Sequence, residues 1–524
     1  MQPLIAAMIK VRQVFYAAFL KSLLRTKSWL QTILKFWISP NVINGQNEDD
    51  FGEMAGEQRA QFLEQVKTLF ARDTRIQPLL KFSQRMTKEL EGSLLDHPMN
   101  MLPSYNHLLP TGNERGSYLA LDVGGSTFRV ALIELSGTGA DGGCKILRTK
   151  SIKIDSGIRQ LQGSLFFDWM AQRIGETLAG QAEGKDMSAA PLSMGLSWSF
   201  PIEQTSLRGG RLLGMGKGFM AAQGLLGQDL GNLIQSACSR HSLNVELNAI
   251  VNDSSATLLS KAYLDPGTRF GLILGTGVNA AVHLPVHIFS AQKFGIRPTT
   301  WHESAKHVIV NTELSMFGGG YLPYTKWDKL LLSTHACPDF QPFEHFASGG
   351  YLGEITRLVL VEGVQTSGLL AGVLPQSLEK TYSLETETIS RIASDKSLTL
   401  KGASDIFSSR HPSSHTPTVA DLKALQQIAA CITQRAAGLV AAGVYALWAL
   451  RNDAENIDIL DCEQTLVAYN GAVLENYPGF RETCQQQLDN LVGASGGKTG
   501  VIKLVYAEES SLIGAAIAVA CLEG

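Results

Sequence analysis

Two glycine-rich segments and one aspartate carry the residue types that can handle a phosphate. In LDVGGSTFRV (121–130) an apolar run ends on Asp122, two glycines follow, then two hydroxyls and a guanidinium. Gly124 and Gly125 lack a Cβ, so they permit positive φ and close approach of backbone to a ligand. Successive N–H groups there can cradle phosphate oxygens, with Ser126, Thr127 and Arg129 helping. Asp122 can hold a magnesium ion through water, because that ion keeps much of its hydration shell. An ordinary tight hairpin would need neither the Asp before the glycines nor the Arg after them. No Gly-Lys-Ser/Thr follows, so this is not a Walker A loop. In LGTGVNA (274–280), Gly275, Thr276 and Gly277 offer the same chemistry, and the Asn279 amide just beyond can bond a sugar hydroxyl. Two such turns suit the two ends of a triphosphate.

Between them lies AIVNDSSATL (249–258). It places Asn252 and Asp253 at the end of a strand, where open α/β sheets bind ligands. An Asp there can accept the proton of a sugar hydroxyl as that oxygen attacks phosphorus. Phosphoryl transfer asks for little more than a positioned base, cations and phosphate cradles. The plainer alternative is a strand-end Asx turn.

The elements that must position these groups read as an α/β chain. Phe51 to Leu95 has helical spacing. Ser117 to Leu135 reads as strand, glycine turn and returning strand, and 269–284 repeats that pattern. Further strands are expected at LSMGLSWSFP, VELNAIVND, TLVAYNGAV and GVIKLVYAEES. Helices are expected at Phe166–Ala179, Leu225–His241, Ser254–Tyr263, Tyr351–Gly363, Val419–Arg451 and the closing SLIGAAIAVACL. Two well-separated hairpins of this kind point to a duplicated α/β core. The Ser/Thr-rich stretch Lys380–Pro417 reads as surface loop with short helical pieces.

A chain of 524 residues is long enough for two domains and a tail. Its net charge of −3 gives no reason to expect nucleic-acid contact. The seven cysteines stand singly, without C-x-x-C spacing, which argues against zinc and against a disulfide framework and for a reducing compartment. The first 40 residues carry six Lys or Arg and no acid, with apolar residues between. The cations recur too often for a spanning helix. The pattern fits a basic amphipathic helix on a membrane surface or a mitochondrial address; the alternative is an extension that packs on the body or is disordered.

From Phe51 onward the chain resembles the hexokinase family of the eukaryotic, fungal type. LDVGGSTFRV is similar to its first phosphate motif, and LSWSFP with GKGF to its sugar segment. VNDSSATL is similar to the catalytic-aspartate segment, LGTGVNA to the second phosphate motif and VNTE to the next sugar motif. FEHFASGGYLGEI resembles the segment carrying a further sugar-binding glutamate, and AYNGAVLENYPGF and AEESSLIGAA resemble the adenosine region. The resemblance implies a two-lobed, actin-like ATPase (ribonuclease H-like) fold that closes over its substrates. The tail would be 1–50, a small lobe with linking helices 51–250, and a large lobe 251–524. It implies that Ser199, Lys217, Asn252, Asp253, Asn279, Glu313 and Glu344 bind sugar hydroxyls. Asp253 would be the general base, and Lys217 would offset charge near the transferring group. Asp122, Gly124, Gly125, Ser126, Thr127 and Arg129 would sit at the phosphates and magnesium, joined by Gly275, Thr276, Gly277 and, in the adenosine region, Gly471.

Four places depart from the family pattern. Gly216 stands where Thr usually precedes Lys217. Leu314 and Ser315 replace Trp-Gly after Glu313, Asn470-Gly471-Ala472 replaces Asp-Gly-Ser, and Ser510-Ser511-Leu512 replaces Gly-Ser-Gly. The expectation is an ATP- and magnesium-dependent kinase for the 6-hydroxyl of glucose or a related hexose. It would be cytoplasmic, with the tail as a link to the mitochondrial or another membrane surface. Two alternatives stand beside it: an N-acetylglucosamine kinase, with room made by losing Trp at 314, and a catalytically weak regulator of starvation responses.

Overall fold

Short apolar strands separated by glycine turns build two sheets of matching topology. The computed structural model describes residues 48–139, 143–179, 190–215 and 218–523, with backbone alone at 48–55. The residues from Gln58 onward form one compact unit. In chain order the elements that matter are helices α1 (Glu48–Ala71) and α2 (Ile76–Ser93), strands β1 (Leu102–Pro103), β2 (Arg115–Val123), β3 (Thr127–Gly137) and β4 (Gly143–Lys153), and helix α3 (Ser164–Leu178). Strand β5 (Leu192–Trp198), helix α4 (Leu230–Arg240), strand β6 (Val245–Val251) and helix α5 (Asp253–Leu264) follow. The second half has β7 (Thr268–Leu274), β8 (Val278–Pro285), β9 (His307–Asn311), α6 (Gly349–Ser367), α7 (Val419–Ala454), β10 (Thr465–Asn470), α8 (Phe480–Ala494), β11 (Ile502–Tyr506) and α9 (Ser510–Glu523).

The first sheet has the order β4-β3-β2-β5-β6 and the second β1-β9-β8-β7-β10-β11. In each, a glycine-turn hairpin extended by a third antiparallel strand is followed by two parallel strands on the other side. The duplication expected from the two hairpins is therefore a duplication of a five-strand order, 3-2-1-4-5, with β1 added at one edge.

Three apolar cores hold this arrangement. Helices α3 and α4 cover one face of the first sheet with Phe166, Met170 and Ile234. The second sheet packs against α2, α6, α7 and α8, and Phe62, Val66 and Phe70 of α1 join that core. Between the sheets lie α5 and α9, packed with Tyr118, Ala120 and Ala249 from the first sheet and Ala281 and Ile309 from the second. Small residues set this spacing. A Cβ on Gly514 would stand 2.0 Å from the Ala256 carbonyl oxygen, and one on Gly195 would stand 2.0 Å from that of Ala515. Either would push α9 off its neighbour. Val419–Ala454 is long and apolar enough to cross a membrane, but 83% of its most apolar stretch is buried inside the protein, which makes it a core helix here.

Several boundaries differ from expectation, each for a local reason. The helix expected from Leu225 begins at Leu230, because Asp229 caps it by accepting from the Asn232 N–H at 2.9 Å. The helix expected from Ser254 begins at Asp253, with the Asn252 side chain as its cap. The run from Phe51 to Leu95 is broken at Arg72–Thr74 and restarts so that Pro78 falls in a first turn, where its missing N–H costs nothing. Strands β4 and β9 were not anticipated. β4 is mostly exposed along its length, and β9 is only five residues long, so neither shows a strong period. Lys380–Pro417 contains two helices, Thr386–Ser394 and Lys401–Arg410, which bury Ile389, Ile392 and Phe407 beneath a Ser/Thr-rich outer face.

Candidate active site

The first turn, Gly124–Ser126, is shaped by the strands on either side. Asp122 and Arg129 are register partners across β2 and β3. Arg129 donates to Asp122 Oδ2 from Nε at 2.9 Å, and its other arm reaches Glu509 Oε2 at 2.6 Å. Burial works against the charge of Arg129, but Asp122 and then Glu509 outweigh it and hold the guanidinium above its ordinary range. Two of the turn's three carbonyl oxygens are occupied: Ser126 O accepts from Ile154 N at 2.9 Å and Gly125 O from the Arg159 guanidinium at 3.0 Å. Among the described residues the N–H groups of Gly125 and Ser126 have no partner, which leaves them available to an anion. Gly124 does not adopt the positive φ expected of it. A Cβ there would meet nothing nearer than Thr127 O at 3.5 Å, so what glycine supplies is a bare surface.

The second turn, Gly275–Gly277, is buttressed from behind. Gly349 N donates to Gly275 O at 2.8 Å and Gly350 N to Thr276 O at 3.0 Å, which seats the start of α6 on the turn. Glu344 accepts from Val278 N at 3.1 Å, and a Cβ on Gly277 would lie 2.7 Å from Glu344 Oε2. Gly471, at φ 119°, follows β10 so closely that a Cβ would lie 2.5 Å from the Leu274 carbonyl oxygen. A cleft of about 480 Å³ joins the two turns, lined by Asp122, Gly124, Gly125, Ser126, Thr127, Arg129, Ser151 and Thr276. All eight lining residues but Thr276 come from the first sheet; Thr276 comes from the second.

Asp253 stands at the first position of α5. Its Oδ1 accepts from Ser254 N at 2.7 Å and its Oδ2 from the Ser199 hydroxyl at 3.3 Å. Ser199 N in turn donates to Val123 O at 3.2 Å, one residue before the first turn. Asp253 and that turn therefore share one neighbourhood. Toward the second sheet, Asn279 Nδ2 donates to Asn252 Oδ1 at 3.4 Å and to Asn311 Oδ1 at 2.8 Å. Asn311 Nδ2 then donates to Glu313 Oε1 at 2.7 Å. Glu313 is half-buried, and loss of water pushes its carboxyl up to about 7. The Asn311 hydrogen bond opposes that rise, and the charges of Asp253 and Glu344 add to it.

Of the expected site residues, Ser199, Asn252, Asp253, Asn279 and Glu313 thus form one linked polar group, with Glu344 acting on Glu313 through its charge. Of the expected phosphate set, Asp122, Gly124, Gly125, Ser126, Thr127, Arg129 and Thr276 line one cleft, and Gly275, Gly277 and Gly471 are not among its lining residues. Lys217 and Gly216 lie outside the described residues. The altered positions behave differently from what was expected of them. Leu314 is wholly buried in the apolar core and Ser315 is buried with its hydroxyl accepting from Gln341 at 3.2 Å, so neither widens the cleft wall. Asn470 ties β10 to the Ala507 carbonyl at 2.9 Å, Ser510 shares a hydrogen bond with Thr257 at 2.9 Å, and Leu512 fills the core between the sheets. Sequence reasoning missed Ser151, Arg159, Glu509, Gly349, Gly350 and Asn311. The double glycine after Ser348 and the Asn two places before Glu313 were the available signals.

Two copies of one sheet order, facing glycine turns and a strand-end aspartate between them define a two-lobed sugar kinase of the actin-like ATPase (ribonuclease H-like) fold. Residues 63–263 and 269–521 match two family descriptions, each of hexokinase. The chain is 30% identical over 454 residues to Hexokinase-2 of Oryza sativa subsp. japonica, covering 84% of this chain and 87% of that protein. It is 32% identical over 429 residues to the chloroplastic Hexokinase-2 of Nicotiana tabacum, covering 80% and 81%. It is 29% identical over 426 residues to the hexokinase of Kluyveromyces lactis, covering 80% and 84%. The solved Schistosoma mansoni hexokinase complexed with glucose superposes with a TM-score of 0.74 at 26% identity, over 88% of this chain and 99% of that one. The chain belongs to the hexokinase family. It is an ATP-dependent hexose phosphotransferase.

Proposed function

We propose that the acceptor is the 6-hydroxyl of glucose or a closely related hexose, held by Ser199, Lys217, Asn252, Asp253, Asn279, Glu313 and Glu344. A hexose is read by many short polar groups, because each buried partner left unmade costs roughly 1–3 kcal/mol. Asp253 accepts the hydroxyl proton as the sugar oxygen forms its bond to the γ-phosphorus and the bond to the bridging oxygen of ADP breaks. The observation that carries this reading is the path Asp253–Ser199–Val123, which puts the base beside the first phosphate turn. Gly124, Gly125, Ser126 and Thr127 cradle phosphate oxygens, Arg129 adds a cation, and Thr276 with Gly275 and Gly277 closes the cleft from the other sheet. Gly471 borders the adenosine end.

Magnesium fits this site as a hydrated ion. Asp122 lines the cleft, its Oδ2 engaged by Arg129, and no cluster of three His, Cys, Asp or Glu occurs among the described residues. Asp122 would hold the ion through water, with phosphate oxygens completing its shell. When bound, the ion neutralises charge on the transferring phosphoryl group. All seven cysteines are free thiols, which supports a cytoplasmic setting. The basic apolar segment 1–40 lies outside the described residues; its composition supports docking on a mitochondrial or other membrane surface.

A coupled ADP-release assay over glucose, fructose, mannose and N-acetylglucosamine tests the substrate. Glucose should turn over best, and absence of turnover with every sugar at millimolar concentration would refute the reading. Fractionation of the chain with and without residues 1–40 tests the tail. An unchanged distribution would remove the membrane role.

A further inference from the structure

The residue that joins the two sides of the sugar site is one that the substrate set does not include. Asn311 ends β9 with its backbone paired on both sides, to Ala281 of β8 and to Leu102 of β1. Its side chain therefore projects from a rigid place in the sheet. Glu313, two residues on, sits in the left-handed region at φ 52°, where a residue with a Cβ is strained and must be held by its surroundings. Thr312 between them is pinned to the Ala280 carbonyl oxygen by both its N–H (3.0 Å) and its hydroxyl (2.8 Å).

The orientation of each amide in this row is set from both ends. Asn279 Oδ1 accepts from the backbone N–H of Ala280 at 2.8 Å and of Leu314 at 3.3 Å, so its NH₂ must face Asn311. The ionised Glu313 carboxylate can only accept, so the NH₂ of Asn311 must face Glu313, and its oxygen then faces Asn279. Both ends agree on one orientation, and no amide can flip without losing two bonds.

We infer that Asn311 is a positioning residue for the sugar site, fixing the rotamers of Glu313 and Asn279 from the rigid end of β9. This inference rests on the reading that the cleft binds a hexose through Glu313. Its chemistry is particular. The groups facing Glu313 are Asn311, the donor, and Asp253 and Glu344, both carboxylates. Asn311 is the one neighbour among these that favours the charged form. Asn311→Asp keeps the side chain's size and its bond from Asn279, but replaces the donor to Glu313 with a fourth carboxylate. Glu313 would then protonate at higher pH and lose its hold on sugar hydroxyl protons.

The test is glucose affinity of the full chain without nucleotide, by intrinsic tryptophan fluorescence, from pH 5.5 to 8.5. Wild type should bind more weakly as pH falls below about 7, and Glu313→Gln should weaken binding and remove that slope. Asn311→Asp should weaken glucose binding at pH 8 by about tenfold to a hundredfold and move the pH at which affinity halves upward. Its kcat at saturating sugar should change far less than its KM. Asn311→Leu should also weaken binding, and if it does not fold, Asn311→Asp alone decides. An Asn311→Asp protein with the wild-type pH midpoint and affinity would overturn this inference while leaving the sugar site intact. A Glu313→Gln protein that binds glucose as wild type does would instead overturn the sugar-site reading itself, and this inference with it.

Discussion

The two glycine turns look alike in sequence and are built on opposite principles. The first is open: among the described residues nothing crowds Gly124 and two N–H groups have no partner, and the charged groups beside it, Asp122 and Arg129, project from paired strands. The second is supported from behind by the start of α6 and by Glu344, so Gly277 is required by the protein before any ligand arrives, whereas a Cβ on Gly275 would meet nothing closer than 3.8 Å among the described residues. The first turn is thus an open surface, and the second is a joint that links the cleft to Glu344, a carboxylate of the proposed sugar site. Shared Gly and Thr content does not reveal this difference, because it depends on what the rest of the chain brings up behind each turn.

The largest test of the comparison lies at the proposed base, which is tied to the first turn through Ser199. Asp253→Ala should lower kcat by at least about 10³ while glucose still binds, as loss of a general base commonly does. Near-normal turnover would show that the base is elsewhere. Next, Gly277→Ala should move the Glu344 carboxylate, raising the KM for glucose and lowering stability by about 1–3 kcal/mol as overpacking does. Steady-state kinetics and thermal melting would check both. Arg129→Gln should raise the KM for ATP more than that for sugar; an equal change in both would mean that Arg129 serves the sugar side too. The smallest effect on stability should come from Gly124→Ala, which meets no protein atom closer than 3.5 Å. Its melting temperature should stay within about 2 °C of wild type while ATP binding weakens, since only a ligand would feel the added methyl. If Gly124→Ala were as destabilising as Gly277→Ala, the contrast between an open and a buttressed turn would be wrong.

Much of the site was legible from residue order. Asp122, Asp253, Glu313 and both turns stand out as candidates because each couples a chemically active type to a strand end or a glycine pair, and because the motifs occur in the hexokinase order. The changed positions were harder. Leu314 follows Glu313 directly, so it reads as part of the sugar wall, yet the left-handed backbone at Glu313 turns the chain and sends Leu314 into the core. Ser510 and Leu512 fall in a segment that resembles a nucleotide motif, but Ser510 bonds Thr257 and Leu512 fills the interface between α5 and α9. Glu509 was invisible as a partner of Arg129 because 380 residues separate them.

The chain by itself determined its two hairpins, the order of its motifs and the kind of chemistry they serve, because local turns, strand periodicity and residue type are set by near neighbours. Only the tertiary structure decided that the hairpins head two sheets of one order and share a cleft. It alone decided which substituted residues face that cleft and which are core. It also decided that Asn311 ties Asn279 to Glu313, two residues of the proposed sugar site. Those outcomes depend on packing between segments hundreds of residues apart, where α5 and α9 pass between the sheets at a distance that only small side chains allow.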